Sequence, residues 1–395
     1  ADQSPASPDA SSNPLKPLAG YEGRLELAAA QIDLPSNLVL HDTAATLELA
    51  NGKLRLAPMR VGLPEGAIEG ELATSPLDAD DLTVDTSLAA HSVGVAGLAG
   101  QGYDGKVDGR LEGTLAAGPI QVMLARSRLR FEGKGESLAM PQAQLGSLQI
   151  TAMLVDGRLR LDPLQANLPQ GAIAGSVVAG PFDQNFAADL DLQATGVDLA
   201  AAARSDGVAG RLDGHLTGTL HGAQPLDILT RSRVELVGTI DGLRLPQIER
   251  RVGEVKLQAS LDPDRREALK VEVKARAGDR PLALTAFGGS FGTLAENRGD
   301  YPFTVTSELG KNQIYVNGTV SMPLTGRKFA ATIRAEGPDP SPILALFELP
   351  KLQFPPYRMS GSLTNVGDEL RVKDFDGHIG DTDLTANIAA SYAGE

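Results

Sequence analysis

Leu54-Arg55-Leu56-Ala57-Pro58, followed by Leu63-Pro64-Glu65-Gly66-Ala67-Ile68-Glu69-Gly70, returns 105 residues later. The second copy reads Leu159-Arg160-Leu161-Asp162-Pro163 and then Leu168-Pro169-Gln170-Gly171-Ala172-Ile173-Ala174-Gly175. The same offset carries Gly109-Arg110-Leu111-Glu112-Gly113-Thr114-Leu115 onto Gly214-His215-Leu216-Thr217-Gly218-Thr219-Leu220. It also carries Arg126-Ser127-Arg128 onto Arg231-Ser232-Arg233, and Pro141-Gln142 onto Pro246-Gln247. A unit this long, built from short alternating segments, implies an array extended in one direction rather than a globule around one active site.

Within the units the hydrophobic period is two. Leu212, Gly214, Leu216, Gly218 and Leu220 alternate with Arg211, Asp213, His215, Thr217 and Thr219, which is the pattern of half-buried antiparallel strands. Leu269–Arg276, Phe329–Arg334 and Leu384–Ala389 read the same way. Asn51-Gly52, Asp156-Gly157 and Asp241-Gly242 predict tight hairpin turns. Short helices are expected at Ile120–Ala125 and Leu226–Thr230, each opened by a proline, and at Val197–Ala203 and Pro342–Phe347. The expected fold is mainly β: an elongated, repetitive antiparallel sheet with a few short helices. Roughly 24 strands stacked at about 4.8 Å give on the order of 115 Å.

Residues 1–19 form a Pro, Ser and Asp tract that reads as a disordered linker. The repetitive region is expected over 20–395, in units at approximately 20–69, 70–174, 175–317 and 318–395. The register breaks in the third unit, which places insertions near Glu249 to Val252 and between Gly289 and Gly318. The second insertion contains a strand pair of its own, Phe303–Leu309 and Ile314–Val320. The outer units look truncated, so a segment of a longer protein is expected, with any signal or anchor outside it.

A net charge of -14 argues against nucleic acid as a partner and against polybasic contact with anionic headgroups. With 4% aromatics and no Trp, stacking platforms are scarce. The absence of Cys removes disulfides and thiolate chemistry. The histidines His41, His91, His215, His221 and His378 lack metal-ligand spacing. Asp78, Asp80, Asp81 and Asp85 lack the glycine turn and bidentate glutamate of a calcium loop, and read as a solvated hairpin end. The two Arg-Ser-Arg triplets fit either helix ends, where cations complement the dipole, or contacts to lipid phosphate. No motif singles out an acid–base pair, a phosphate loop or a nucleophile elbow. No metal or cofactor is expected, and the chain is not expected to be an enzyme.

Three stretches resemble the AsmA-like family of envelope proteins, which includes TamB and YhdP. They are Gly-Arg-Leu-Asp-Gly-x-Leu at 210–216 ahead of Pro225-Leu226-Asp227-Ile228-Leu229, and Asp-Gly-Arg-Leu-Arg-Leu-x-Pro-Leu at 156–164 before Gly171–Gly175. The third is Pro356–Leu363, then Leu370–Phe375 and Gly380–Leu384. Their order over nearly all of 20–395 carries the resemblance. It implies a strongly curved sheet, a β-groove, in a periplasmic protein anchored to the inner membrane by a helix outside this sequence. It also implies transport of phospholipid acyl chains between inner and outer membranes, in support of outer-membrane biogenesis, with outer-membrane or periplasmic proteins as partners.

The residues expected to face such chains are Leu111, Leu115, Ile173, Val177, Leu216, Leu220, Ile333 and Ile388. Leu269, Val271 and Val273 form an apolar face too, but stand beside the register break and are left out. Glycines in the face, such as Gly113 and Gly218, are expected to permit coiling and close approach of a ligand chain. Three other readings stay open. A β-sandwich scaffold or adhesin of the envelope would bury the same faces. An outer-membrane barrel would need aromatic girdles, and a hydrolase of envelope polymers would need a carboxylate pair.

Overall fold

The computed structural model describes residues 13–33, 39–96, 102–140, 143–182, 186–200, 209–222, 230–245, 248–265, 267–277, 280–290, 292, 299–321, 328–344, 354–366 and 369–391. The fold is mainly β and its antiparallel sheet is not closed into a barrel. The chain divides into two compact units, one over 1–169 and 174–183, the other over 170–173 and 184–395.

The first unit contains β1 (Gly23–Asp33), β2 (Val39–Ala50), β3 (Lys53–Gly62), β4 (Ala67–Thr74), β5 (Thr83–Gly94) and β6 (Asp104–Ala116). Helix α1 (Ile120–Arg126) leads to β7 (Arg128–Met140), β8 (Ala143–Gln144), β9 (Ser147–Val155) and β10 (Arg158–Asn167). Each strand pairs antiparallel with the next, except that β7 pairs directly with β9 while β8 folds back on the end of β7 as a side arm. Strand β11 (Ala172–Ala179) straddles the division.

The second unit runs β12 (Ala187–Asp198), β13 (Ala209–His221), β14 (Arg233–Leu245), β15 (Ile248–Val252), β16 (Val255–Leu261), β17 (Leu269–Ala277) and β18 (Arg280–Gly288). It continues with β19 (Asp300–Leu309), β20 (Asn312–Ser321), β21 (Lys328–Gly337), β22 (Tyr357–Val366), β23 (Glu369–Ile379) and β24 (Thr382–Ser391). Here β14 pairs directly with β16, and β15 is the side arm. The insertion near Glu249 therefore lengthens an arm from two residues in β8 to five in β15 and leaves the ladder intact. The second insertion is a hairpin, with β19 and β20 joined at Leu309↔Asn312 and fitted between β18 and β21.

The repeat extends to backbone conformation. Asn51 (φ 52) and Gly52 (φ 68) make the β2–β3 turn, and Asp156 (φ 49) and Gly157 (φ 72) make the β9–β10 turn. Positive φ at both central residues matches the twist of the flanking strands. Asp241-Gly242 is not a turn. It lies inside β14, where Gly242 (φ 64) accompanies a register shift against β13, since a left-handed glycine also suits a bulge.

The prolines act differently from expectation. Pro119 is the N-cap of α1, with extended ψ 151, rather than its first helical residue. Of the segment 197–203 only Leu199 and Ala200 are described as helical, because Val197 and Asp198 finish β12, and of the segment 342–347 only residues 342–344, in a helix that starts at Ser341. The remainder of both segments, and residues 226–229, lie outside the described residues. Of the expected linker, residues 13–19 are described, and they are structured: Lys16–Gly20 form a 3-10 turn, and Asn13 Nδ2 donates to the carbonyl of Leu77 at 2.8 Å. Leu77 itself is fully buried, so this tract is tied down by one core residue.

Candidate functional site: an uncovered apolar face

Cross-strand register turns the alternation of single strands into rows that cross each sheet. In the second unit one row passes through Leu192, Leu216, Leu236, Ala259, Val271, Ala286, Val305, Val316, Ile333 and Gly361, each directly opposite the next. Its neighbour runs Leu190, Gly218, Val234, Leu261, Leu269, Gly288, Phe303, Gly318, Ala331, Leu363, Val372 and Ile388, across twelve strands. In the first unit the equivalent row is Leu27, Ala45, Met59, Gly70, Leu88, Leu111, Phe131, Ala152 and Leu161. Neither polar nor charged side chains interrupt these three rows.

The row through Leu216 is half-buried at every position and buried at none. Row neighbours shield one another laterally, and the outward side stays open. At the end strands even that shielding falls away: Leu27 is 49% exposed, Leu384 44% and Ile388 53%. Buried apolar residues gather instead at the margins. In the second unit Ile240, Val255 and Ala275 form a cluster packed by Leu199, Leu212 and Leu243, where the β15 arm begins. An apolar sheet face left in this state has to meet something.

Of the expected contact residues, Leu216 and Ile333 share one row and Ile388 ends the next. Leu111 sits between Leu88 and Phe131 in the first unit. Leu115 stands opposite Val84, and Leu220 opposite Ala188, beyond those rows toward the strand ends. Ile173 and Val177 are half-buried on β11. Leu269, Val271 and Val273, left out on the strength of the register break, belong to the face: Leu269 and Val271 are members of the two rows just given, and Val273 lies between Leu257 and Leu284. Their own alternation was the signal. The break concerns residue spacing along the chain, which the β15 arm absorbs, and not the ladder.

The glycines expected to admit a ligand chain, Gly113 and Gly218, do not leave room for one, and neither does Gly318. A Cβ at Gly113 would strike the carbonyl oxygen of Arg128, one at Gly218 that of Arg233, and one at Gly318 that of Ala330. The neighbouring backbone already fills that space, so glycine here serves strand-to-strand approach.

The other face is charged. Arg110–Glu112 (2.6 Å), Arg160–Asp162 (2.5 Å) and Lys270–Glu272 (2.7 Å) pair along single strands on solvent-facing positions. Exposed pairs of this kind add little to stability, because water and salt screen them. The Lys270 hydrogen bond and charge hold the Glu272 carboxyl below its ordinary range, against slight desolvation. Asp81 of the acidic cluster is held low in the same way by Arg126, 2.7 Å away, and Asp85 accepts the Thr114 hydroxyl at 2.7 Å. Burial raises the Tyr301 phenol, which donates to Gly289 O at 3.2 Å.

Two clefts open on this charged face of the second unit. One of 430 Å³ lies over Gly214 and Gly238, and one of 890 Å³ lies beside Lys311, Tyr357 and His378. Neither was legible as a motif, because each is assembled from four or more strands. What repeats in the Arg-Ser-Arg triplets is the serine: Ser127 and Ser232 are 0% and 2% exposed, and accept the N–H groups of Ala116 (2.9 Å) and His221 (3.1 Å). Arg126 closes α1 and pairs with Asp81, while Arg233 pairs with Asp262 at 3.3 Å and with Asp264.

Among the described residues no group of three His, Asp or Glu is placed to hold a metal, and no helix is long and apolar enough to cross a membrane. No protein-family model matches the chain, and comparison with curated proteins finds no match.

Proposed function

We propose that this chain is a non-enzymatic, AsmA-like envelope protein whose apolar face carries or shields phospholipid acyl chains. The observation that carries the reading is the unbroken apolar row, half-buried along its whole length, from Leu192 to Gly361. On this reading the sheet, twisted in the usual hand, curls about that face to form a long groove. In the second unit the β15 arm would stand at its lip. Burial at about 0.8 kcal/mol per methylene holds a sixteen-carbon tail by roughly 12 kcal/mol before the cost of association. The bilayer offers the tail the same term, so an evenly apolar path moves it without a deep site. The charged outer face, in a chain of net charge -14, suits solubility in an aqueous compartment. With the resemblance, we read that compartment as the periplasm, the inner-membrane anchor lying outside this sequence. A β-sandwich scaffold would bury the rows against a second sheet, and their half-exposure weighs against it.

The test is photo-crosslinking. A photoreactive residue at Val316, inside the row, should capture phospholipid during expression, and the same residue at Asn317, one position along and on the charged face, should not. Leu216→Asp with Val271→Asp should lower co-purifying lipid several-fold by mass spectrometry. Equal capture at both positions, or none at Val316, sinks the reading.

A further inference from the structure

We infer that the cleft over Gly214 and Gly238 binds a small, water-soluble oxyanion of phosphate type. Lys256 and Lys274 face each other directly across β16 and β17, both exposed and both lining the cleft. Like charges directly opposed destabilise a sheet, and the arrangement stands out in a chain with 36 Lys and Arg against 50 Asp and Glu. The carboxylates nearby hold their hydrogen bonds with other partners, although Glu272 also feels the charge of Lys274. Glu272 is engaged by Lys270 at 2.7 Å, Asp213 accepts the N–H of Gly196 at 2.8 Å, and Asp191 meets His215 Nε2 at 2.7 Å. Neither Lys256 nor Lys274 is within salt-bridge distance of a carboxylate among the described residues. Two ammonium groups are therefore left over at one edge of a hollow, where an oxyanion would relieve their repulsion and accept their hydrogen bonds.

The hollow has the dimensions of a small-molecule site. Its 430 Å³ falls in the usual range. Its floor is the sheet backbone where Gly214 and Gly238 stand opposite each other. Thr239 adds a hydroxyl beside Lys256. Val237, 49% exposed on an otherwise polar row, supplies one apolar contact for the body of the ligand. Lys256 and Val271 lie on opposite faces of the sheet, as alternation requires. A lipid whose tail follows the row through Val271 cannot place its headgroup in this hollow, so the anion comes from solution. This site is independent of the lipid reading and stands or falls without it.

The experiment is thermal unfolding of the full chain in inorganic phosphate against chloride at matched ionic strength. Phosphate should raise the midpoint saturably. The double variant Lys256→Gln with Lys274→Gln should lose at least about tenfold in apparent affinity while melting in chloride no lower than wild type, because the repulsion is gone. Lys134→Gln, in the first unit, should keep the wild-type response. A second arm uses dihexanoyl phosphatidic acid below its micellar concentration, which should bind no more tightly than inorganic phosphate and with the same dependence on the two lysines. No saturable phosphate shift in wild type overturns the site, as does an equal shift in the double variant. Failure of the double variant to fold also overturns it, because the lysines would then be holding the sheet together. Tighter lipid binding that is lost in Val271→Asp and kept in the lysine variant assigns the phosphate to a lipid on the other face, and overturns the soluble anion.

Discussion

Ser127 and Ser232 hold the same bond 105 residues apart: each hydroxyl oxygen accepts the N–H of the last residue of a strand, Ala116 of β6 or His221 of β13. The bond ties the end of one strand to the residue just before the start of the next. Removing the oxygen orphans an N–H beside a buried side chain, which costs about 1–2 kcal/mol. Ser127→Ala and Ser232→Ala should each lower the unfolding free energy by that amount in urea titrations, and changes within a few tenths of a kcal/mol would show that water replaces the hydroxyl. Sequence reading saw both triplets and followed the arginines, since charge is conspicuous and a lone serine has no pattern. The glycines misled in a related way. Gly113 and Gly218 are visible as glycine, but whether the missing Cβ faces a ligand or a neighbouring carbonyl is set by register, which no single strand contains.

At the scale of elements, alternation and the Asn-Gly and Asp-Gly pairs made most strands and two turns legible, because period two and positive φ are local properties. The Asp241-Gly242 bulge was misjudged for the same reason: the local conformation is that of a turn, and only the pairing of β14 with β13 and β16 shows that the strand continues. The inserted hairpin was legible since it brings two complete strands. Its removal is a sharp check on the rows. Taking out residues 300–321 leaves β18 antiparallel to β21, with Leu284, Ala286 and Gly288 able to meet Ala335, Ile333 and Ala331 in unchanged order. The shortened chain should keep a β-type circular dichroism spectrum and a single cooperative urea transition for the second unit, with an m-value lower by roughly a sixth, in proportion to the surface lost. Aggregation or a molten second unit would mean that β19 and β20 contribute more than their place in the ladder.

Over the whole chain, the repeat is finer than the division into compact units: its boundaries are expected near 69, 174 and 317, and the compact units part only near the second of these. The 105-residue period passes from Leu63–Gly70 to Leu168–Gly175, yet the compact units part company inside the second of those stretches, at residues 170–173. Repetition reports which residues share a role, whereas compactness depends on how densely neighbouring strands touch, and nothing in the spacing encodes that density. The candidate face was legible strand by strand. Its continuity was not, for the register that joins Leu216 to Ile333 through eight strands comes from turn lengths and bulges summed along the way.

Neighbour-only pairing also gives the second unit a mechanical character. Antiparallel hydrogen bonds lie perpendicular to their strands, so a force applied between β12 and β24 acts across the ladders and loads their bonds in series. With handles on those two strands, optical tweezers should record a train of small, low-force extensions, each releasing on the order of 35 Å for a ten-residue strand such as β24. A single high-force rupture of the whole unit would show that its strands are clamped by something beyond their immediate partners. A sheet that peels strand by strand yields under tension from its ends inward, and can lose an outer strand while the remaining ladders stay closed.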